Sequence, residues 1–285
     1  MITWLASYPK SGNTWMRIFL TNYWRDGNEP ADIINSLDGG PIASARTVFD
    51  ETAGVEASDL TPEEIERLRP YVYEQVAKEQ ENTLFLKVHD AYSYTPEGVP
   101  MLSQKATKAA LYLIRNPLDV AVSFAHHSNR PIEKIIQRMA DSEMALVDNS
   151  NQLANQLRQK LSSWSKHVLS WIEEPDLKIL VVRYEDMLEK PEETFSQVVK
   201  FCELDYNIER VRKALHFSSF DVVQSQEQEH GFGERMPAAA SFFRQGRIGS
   251  WCEKLNTQQV EQIVRDHGRV MQRFGYLTKD NEIIY

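Results

Sequence analysis

Lys10, Ser11, Gly12, Asn13 and Thr14 follow one another directly, and between them they offer a full positive charge, two hydroxyls, a side-chain amide and a backbone free of Cβ. That set suits an anion held on backbone N–H groups. Before it, Ile2, Trp4, Leu5, Ala6 and Ser7 make a run of strand length; after it, Trp15, Met16, Phe19, Leu20 and Tyr23 recur at spacings of three and four. The pattern predicts a strand, a tight turn and a helix starting near Gly12, whose first unbonded N–H groups and positive dipole end face the turn. It is not the Gly-x-x-x-x-Gly-Lys-Ser/Thr loop that cradles triphosphates, because the lysine precedes the glycine. The shorter turn is sized for one phosphate and its substituent. An ordinary strand-to-helix turn with a solvated lysine fits the same residues.

Two further places carry candidate chemistry. Lys87 and His89 close an apolar run, Leu84 to Val88, at the strand end where ligands of open parallel sheets collect. A lysine in such a strand needs a partner to offset its desolvation, and a bound anion would serve; His89 is either a proton acceptor or a hydrogen-bonded structural histidine. Arg115 follows a third strand, Ala109 to Ile114, and precedes Asn116-Pro117, a capping residue and a first-turn proline, with Val120, Val122, Ser123 and Phe124 continuing the helix. An arginine fork there suits a phosphate, or pairs with a surface carboxylate.

The elements that must position these groups alternate between the two periods. Residues 25–60, with Gly39-Gly40-Pro41, read as a long loop with at most short helical turns. Thr61-Pro62-Glu63-Glu64 predicts a helix opened by a capping box, with Ile65, Leu68, Val72 and Val76 inward. Residues 132–147 read as helix, Asn149-Ser150-Asn151 as a turn, and Leu153, Leu157, Leu161, Trp164, Val168 and Trp171 as the core stripe of one long helix. Leu177 to Val182 predicts a fourth strand, and short helices follow near 191–202 and 207–215. Apolar periodicity then vanishes over Gln224 to Ser250, where Gly231, Gly233, Pro237, Gly246 and Gly249 mix with Arg235, Arg244 and Arg247: either a disordered segment or a mobile cationic flap with Phe242-Phe243 to dock over a ligand. A last helix after Thr257 stops at Gly275. Strands entering helices in this order predict an α/β fold, a parallel sheet with helices on both faces.

With 285 residues, 42% of them hydrophobic, the chain can bury a large core, and one domain over 1–285 is expected. A formal charge of −9 argues against a general nucleic-acid surface. Cys202 and Cys252 match no metal or redox spacing and read as packed thiols. The first apolar run is broken at Pro9-Lys10, and no run approaches the ~20 apolar residues of a membrane span, so a soluble cytoplasmic protein is expected.

Taken in order, these motifs resemble the cytosolic-type sulfotransferases, which move a sulfuryl group from 3′-phosphoadenosine 5′-phosphosulfate (PAPS) to a hydroxyl or amine. The resemblance covers most of the chain and implies roles. Lys10, Ser11, Gly12, Asn13 and Thr14 would hold the phosphosulfate and Trp15 would contact the adenine; Arg115 and Ser123 match the 3′-phosphate pair. Lys87-Val88-His89 is similar to the family's lysine and catalytic histidine. Tyr184 and the Ser218-Ser219-Phe220 segment fall where adenine contacts occur, and Arg244-Gln245-Gly246-Arg247-Ile248-Gly249-Ser250-Trp251 resembles the flap that closes on the 3′-phosphate. Gln245 stands where that flap carries lysine, Ser250 where it carries aspartate, and Asn13 where threonine is common. The family's C-terminal dimer motif has no match, so the oligomeric state stays open. The opening motif and Phe274-Gly275-Tyr276 are similar to bacterial members that act on secondary metabolites.

The implied chemistry is an in-line transfer to a small-molecule acceptor. Lys10 would meet charge on the leaving oxygen, Lys87 would stabilise the sulfuryl oxygens and His89 would accept the acceptor's proton, with no metal, nucleic acid or membrane as partner. Two other readings remain at this point. One is a kinase or nucleotide hydrolase whose Glu185 and Asp186 hold Mg²⁺; the other is a nucleotide-binding module without catalysis.

Overall fold

A computed structural model describes residues 1–33, 37–38, 40–148, 153–235 and 241–285. The strands are β1 (Ile2–Ser7), β2 (Leu84–Val88), β3 (Thr107–Ile114), β4 (Ala145–Leu146), β5 (Gln159–Lys160) and β6 (Ile179–Arg183). The helices are α1 (Asn13–Arg25), α2 (Arg46–Ala53), α3 (Pro62–Lys78), α4 (Pro117–Ser128), α5 (Ile132–Ala140), α6 (Trp164–Ile172), α7 (Tyr184–Glu189), α8 (Pro191–Phe201), α9 (Ile208–Phe217), α10 (Phe220–His230) and α11 (Thr257–Arg273). Four strands form a parallel sheet in the order β2-β1-β3-β6, flanked by helices, as the α/β reading expects. The turn read at 149–151, together with Gly39 and Pro237, lies outside the described residues.

Contacts divide the chain into two compact units, each assembled from three segments. The first comprises Met1–Tyr8, Gly40–Tyr112 and Asp141–Val181; the second comprises Pro9–Gly39, Leu113–Ala140 and Val182–Tyr285.

In the first unit, β1 is buried along its whole length, which is why it reads as apolar without alternation. It pairs with β2 in a register that sets Leu5 opposite Lys87 and Ala6 opposite Val88. Helix α3 opens on the expected capping box: Thr61 N–H donates to Glu64 Oε2 at 2.8 Å, and Thr61 Oγ1 accepts from Glu64 N–H at 3.3 Å. Its inward residues Ile65, Leu68, Val72 and Val76 pack in a cluster with Phe49, Ala57 and Leu157.

Two expectations for this unit are corrected. The stretch 25–60 contains α2 and a short 3-10 turn, Ala57–Asp59. Little in the sequence of α2 marks it, since Phe49 is its only buried residue; it is held from outside, with Arg46 donating through its amide to Asn155 O and through Nε to Ala154 O. The long helix starting near Leu153 does not form. Its stripe is core from Leu157 onward, whereas Leu153 is 74% exposed, and only α6 is helical. The backbone before α6 bonds elsewhere: Leu157 N–H to Ser44 O at 2.7 Å, Leu161 N–H to Met144 O at 2.8 Å, and Lys160 O to Ala91 N–H at 2.7 Å. Those long-range bonds replace the i→i−4 ladder, and Ser163 then caps α6 by accepting from Lys166 N–H.

In the second unit, α1 buries Met16, Phe19, Leu20 and Tyr23 of the face its spacing predicts, together with Ile18, while Trp15 is half-buried. Phe19 packs on Phe195 of α8 with ring centroids 4.3 Å apart. Ile18 joins Ile33, Val223 and Phe232 in a cluster against which Leu37, Phe242 and Phe243 pack. Val223 belongs to α10, a helix that the flap reading missed in part because its sequence beyond Val223 is almost wholly polar. The closing helix α11 begins at a capping box formed by Asn256 and Gln259 and ends before Gly275, whose φ is 70°.

Candidate active site

In the second unit the turn takes the form its residues require. Lys10 has φ 69°, a left-handed conformation that costs a non-glycine residue energy and recurs at ligand-binding turns. Gly12, with φ 99°, is the N-cap of α1. A Cβ there would stand 2.8 Å from the Tyr184 ring, so the glycine is needed for both its backbone angle and its space. Ser11, Asn13 and Thr14 are buried. Trp15 sets its ring edge against Tyr184 at 6.1 Å and against Phe195 at 5.5 Å.

Arg115 is brought to this turn from the end of β3. Its guanidinium donates to Lys10 O at 3.3 Å and to Arg247 O at 3.2 Å, and it lies 4.2 Å above the Tyr184 ring. Asp119, one turn into α4, is fully buried and accepts from Gly249 N–H at 2.9 Å, Ser250 Oγ at 2.8 Å and Trp251 N–H at 3.1 Å. So α4 anchors the end of the flap, and Ser250 makes a hydroxyl bond to a carboxylate where the family pattern has a second carboxylate. Ser123 lies a further turn along α4, half-buried.

The flap folds onto the same turn. Gly246 has φ 56°, and a Cβ there would meet Phe220 at 2.3 Å; Ser219, the N-cap residue of α10, precedes that ring. Phe242 lies under the Lys10 ammonium at 4.2 Å, and its amide and that of Phe243 both donate to the buried Glu227 carboxylate, at 2.6 Å and 2.8 Å. Arg244 is held below its ordinary pKa by burial and by the charges of Arg115 and Arg247. His126 of α4 is likewise lowered, by burial and by Arg244 and Lys10. Cations converge here.

Several buried polar atoms at this place lack a hydrogen-bond partner among the described residues: Ser11 Oγ, Trp15 Nε1, Arg115 Nε and Gln245 Oε1. Buried polar groups are rarely left so, and each of these can serve a bound ligand. Thr14 Oγ1 donates to Glu234 at 3.1 Å, and Arg17 forms an ion pair with the same carboxylate.

The other two predicted residues, Lys87 and His89, belong to the first unit, and both are half-buried. His89 Nδ1 lies 2.8 Å from Ser7 O and 3.3 Å from Ser7 Oγ. A carbonyl only accepts, so Nδ1 carries the proton and Nε2 is the basic nitrogen of the neutral ring.

Glu185 does not behave as a metal ligand. Its carboxylate accepts from Asn116 N–H at 3.0 Å and from Tyr276 Oη at 2.9 Å, and burial raises its pKa. It is a structural brace between α4 and the residues after α11. Sequence reasoning missed Asp119, Glu227, Glu234 and His126. Asp119 had a legible signal in its i,i+4 spacing from Arg115; the two glutamates had none, because their partners are far away in the chain.

A parallel sheet flanked by helices, with a glycine-started helix and arginines converging on its turn, defines an α/β fold with a place fit for an anion. Residues 2–275 match the family described as sulfotransferase domain, and the chain belongs to that family: it is a sulfotransferase. Sulfotransferase 1B1 of dog (Canis lupus familiaris) is 26% identical over 274 residues, covering 91% of this chain and 79% of the relative. Among solved structures, a mouse sulfotransferase complexed with PAP superposes with a TM-score of 0.60 at 19% identity, covering 96% of this chain and 88% of the other. A retinol dehydratase in complex with retinol and PAP gives 0.63 at 19% identity, with coverages of 100% and 83%. At that identity the likeness is one of fold. Among the described residues no helix is long and apolar enough to cross a membrane.

Proposed function

We propose that the chain transfers the sulfuryl group of PAPS to a hydroxyl or amine of a small-molecule acceptor in the cytosol, working as a single domain over 1–285. The observation that carries the reading is the crowding of Arg115, Arg244 and Arg247 beside the turn, which depresses Arg244 and leaves a cationic place fit for a phosphate. The orphaned buried atoms of Ser11, Trp15, Arg115 and Gln245 support the same ligand.

In this reading Lys10, Ser11, Gly12, Asn13 and Thr14 hold the 5′-phosphosulfate. Arg115, Ser123, Arg244, Gln245 and Gly246 surround the 3′-phosphate, and Trp15, Tyr184, Ser219 and Phe220 hold the adenine. The bound donor supplies an activated sulfuryl group. Lys10 and the N–H groups at the start of α1 stabilise charge on the leaving oxygen without reorganising. Lys87 would stabilise the transferred oxygens. His89 Nε2 accepts the acceptor's proton while Nδ1–H stays on Ser7 O, so the imidazolium forms already hydrogen-bonded. The retinol held by the retinol dehydratase that shares this fold supports a small organic acceptor.

The test is a panel of phenols, alcohols and amines incubated with PAPS and scored by mass gain of one sulfuryl group, with and without EDTA. Product formed equally in both conditions is expected. A requirement for Mg²⁺, with ATP but not PAPS consumed, would instead support the kinase reading.

A further inference from the structure

Helix α6 carries three side chains that each grip the backbone of one short segment, residues 89–92. His167 lies 2.9 Å from His89 O, Trp171 Nε1–H donates to Asp90 O at 3.0 Å, and Ser170 Oγ accepts from Tyr92 N–H at 3.0 Å. Positions 167, 170 and 171 share one helical face. From the other side, Asp90 is locked by Arg69 through two bonds of 2.9 Å and 2.8 Å, with the two side chains only 2% and 1% exposed.

His167 is unusual within this clamp. It is fully buried between Trp164 and Trp171, on a helix whose inward stripe is otherwise apolar. Tyr8 packs edge-on against it at 5.3 Å. Among the described residues its ring makes polar contacts to His89 O and, at 2.8 Å, to Tyr112 Oη. The carbonyl can only accept, so His167 carries its proton on Nε2. Its Nδ1 must then accept, and Tyr112 Oη–H donates. Every atom of this relay has one role. Burial lowers the His167 pKa to about 4 and raises that of Tyr112 well above its usual value, so neither end changes protonation near neutral pH.

We propose that His167, oriented by Tyr112, is a positioning residue for His89: by holding the His89 carbonyl it fixes the backbone from which the imidazole reaches Ser7 O, and so keeps Nε2 as the proton acceptor. The proposal rests on reading His89 as the base. A polar ring in an apolar core is costly to bury, and here it satisfies one carbonyl next to a reacting residue. Free imidazole side chains favour the Nε2–H tautomer, so the Nδ1–H form at His89 has to be imposed by the Ser7 contact, which a small backbone shift would break.

The experiment has an acceptor-free arm and a kinetic arm. Ring ¹⁵N spectra of the full chain should show His89 in the Nδ1–H form, and His167→Phe should move it toward a mixture with Nε2–H. With PAPS and the best acceptor of the panel above, His167→Phe should lower kcat about ten- to a hundredfold, the scale of a small misplacement of a reacting group, while KM and PAP affinity stay within about twofold. Added to His89→Ala it should cost nothing further, because no base remains to be positioned. His167→Gln, whose amide N–H reaches the same carbonyl, should recover most of the rate. Should His167→Phe fail to fold, Tyr112→Phe is the measurement, with a smaller loss in the same direction. A full rate in the folded His167 or Tyr112 variant overturns the proposal whatever the ring signal does, as does a loss that simply adds to that of His89→Ala. A full rate in His89→Ala overturns the base reading itself, and the proposal with it.

Discussion

Replacing Arg115 by methionine separates donor recognition from scaffolding. The side chain would keep a stem over Tyr184 but lose its charge and its forked donors. In the folded chain those donors make two long bonds, 3.3 Å to Lys10 O and 3.2 Å to Arg247 O, and a loose ion pair with Asp119 at 3.8 Å. Bonds of that length sit at the low end of the ~0.5–1.5 kcal/mol scale, so stability should fall by roughly 1–2 kcal/mol. Asp119 is not orphaned, because Gly249, Ser250 and Trp251 still donate to it. A charge-assisted bond to a 3′-phosphate contributes more, ~1.5–3 kcal/mol, or about ten- to 150-fold in affinity. Calorimetry should therefore show 3′-phosphoadenosine 5′-phosphate binding weakened by at least about tenfold in Arg115→Met. Adenosine 5′-phosphate, lacking the 3′ group, should change by less than about threefold, and the preference for the former should collapse. An equal loss on both nucleotides would mean that Arg115 only braces the turn against the flap, and the 3′-phosphate assignment would fail.

Stability should also depend on pH through two buried histidines. His167 and His267 are both lowered by burial to about 4 from an ordinary 6.5. Below pH ~6.5 the unfolded chain takes up protons that the folded chain refuses, so their contribution is full above that pH and is lost as pH falls toward about 4. Each is on the order of 3 kcal/mol at most. Urea midpoints should drop between about pH 7.5 and about pH 5, less so in His267→Gln; an unchanged drop in that variant would locate the effect elsewhere. Glu185, raised by burial above the ordinary carboxyl value, works in the opposite sense: over the pH range just above that value the folded chain holds a proton that the unfolded chain has released. For the buried pair, Asp90→Asn should destabilise by ~3–5 kcal/mol, because Arg69 is left charged and uncompensated; Arg69→Met with Asp90→Leu should cost less than either change alone, and simple additivity of the two would contradict this account. Gly246→Ala should weaken binding of 3′-phosphoadenosine 5′-phosphate at least about tenfold and lower the melting temperature as well, since its Cβ meets Phe220 at 2.3 Å at φ 56°. Wild-type affinity in that variant would show that the flap does not need this close approach.

The site was legible where it is local. A turn, its glycine, a cap and a first-turn proline act over a few residues, so Lys10 to Trp15 and Arg115 to Pro117 announce their backbone shape and suggest the chemistry proposed for them. The capping box at Thr61 and the stop at Gly275 are of the same kind. The spacing of α1 likewise carried its buried face. Once those motifs stood in a recognisable order, the family followed from the chain alone.

Only the tertiary structure decided the rest. Leu157 and Leu161 have the period of a helix, yet their amides bond to Ser44 and Met144, residues remote in sequence, so the stripe is core without being one helix. Helix α2 exists because Asn155 and Ala154 hold Arg46. Asp119 gathers the flap across 130 residues of chain or more, and Glu227 receives the Phe242 and Phe243 amides. His167 shows the limit most clearly. Its place in an apolar stripe marks it as odd, but that its ring holds the carbonyl of His89 while Tyr112 fixes its tautomer depends on three strands and helices meeting. Period and composition record what each residue prefers beside its neighbours; hydrogen bonds between distant segments are set by how the whole chain closes, and there the local preference yields.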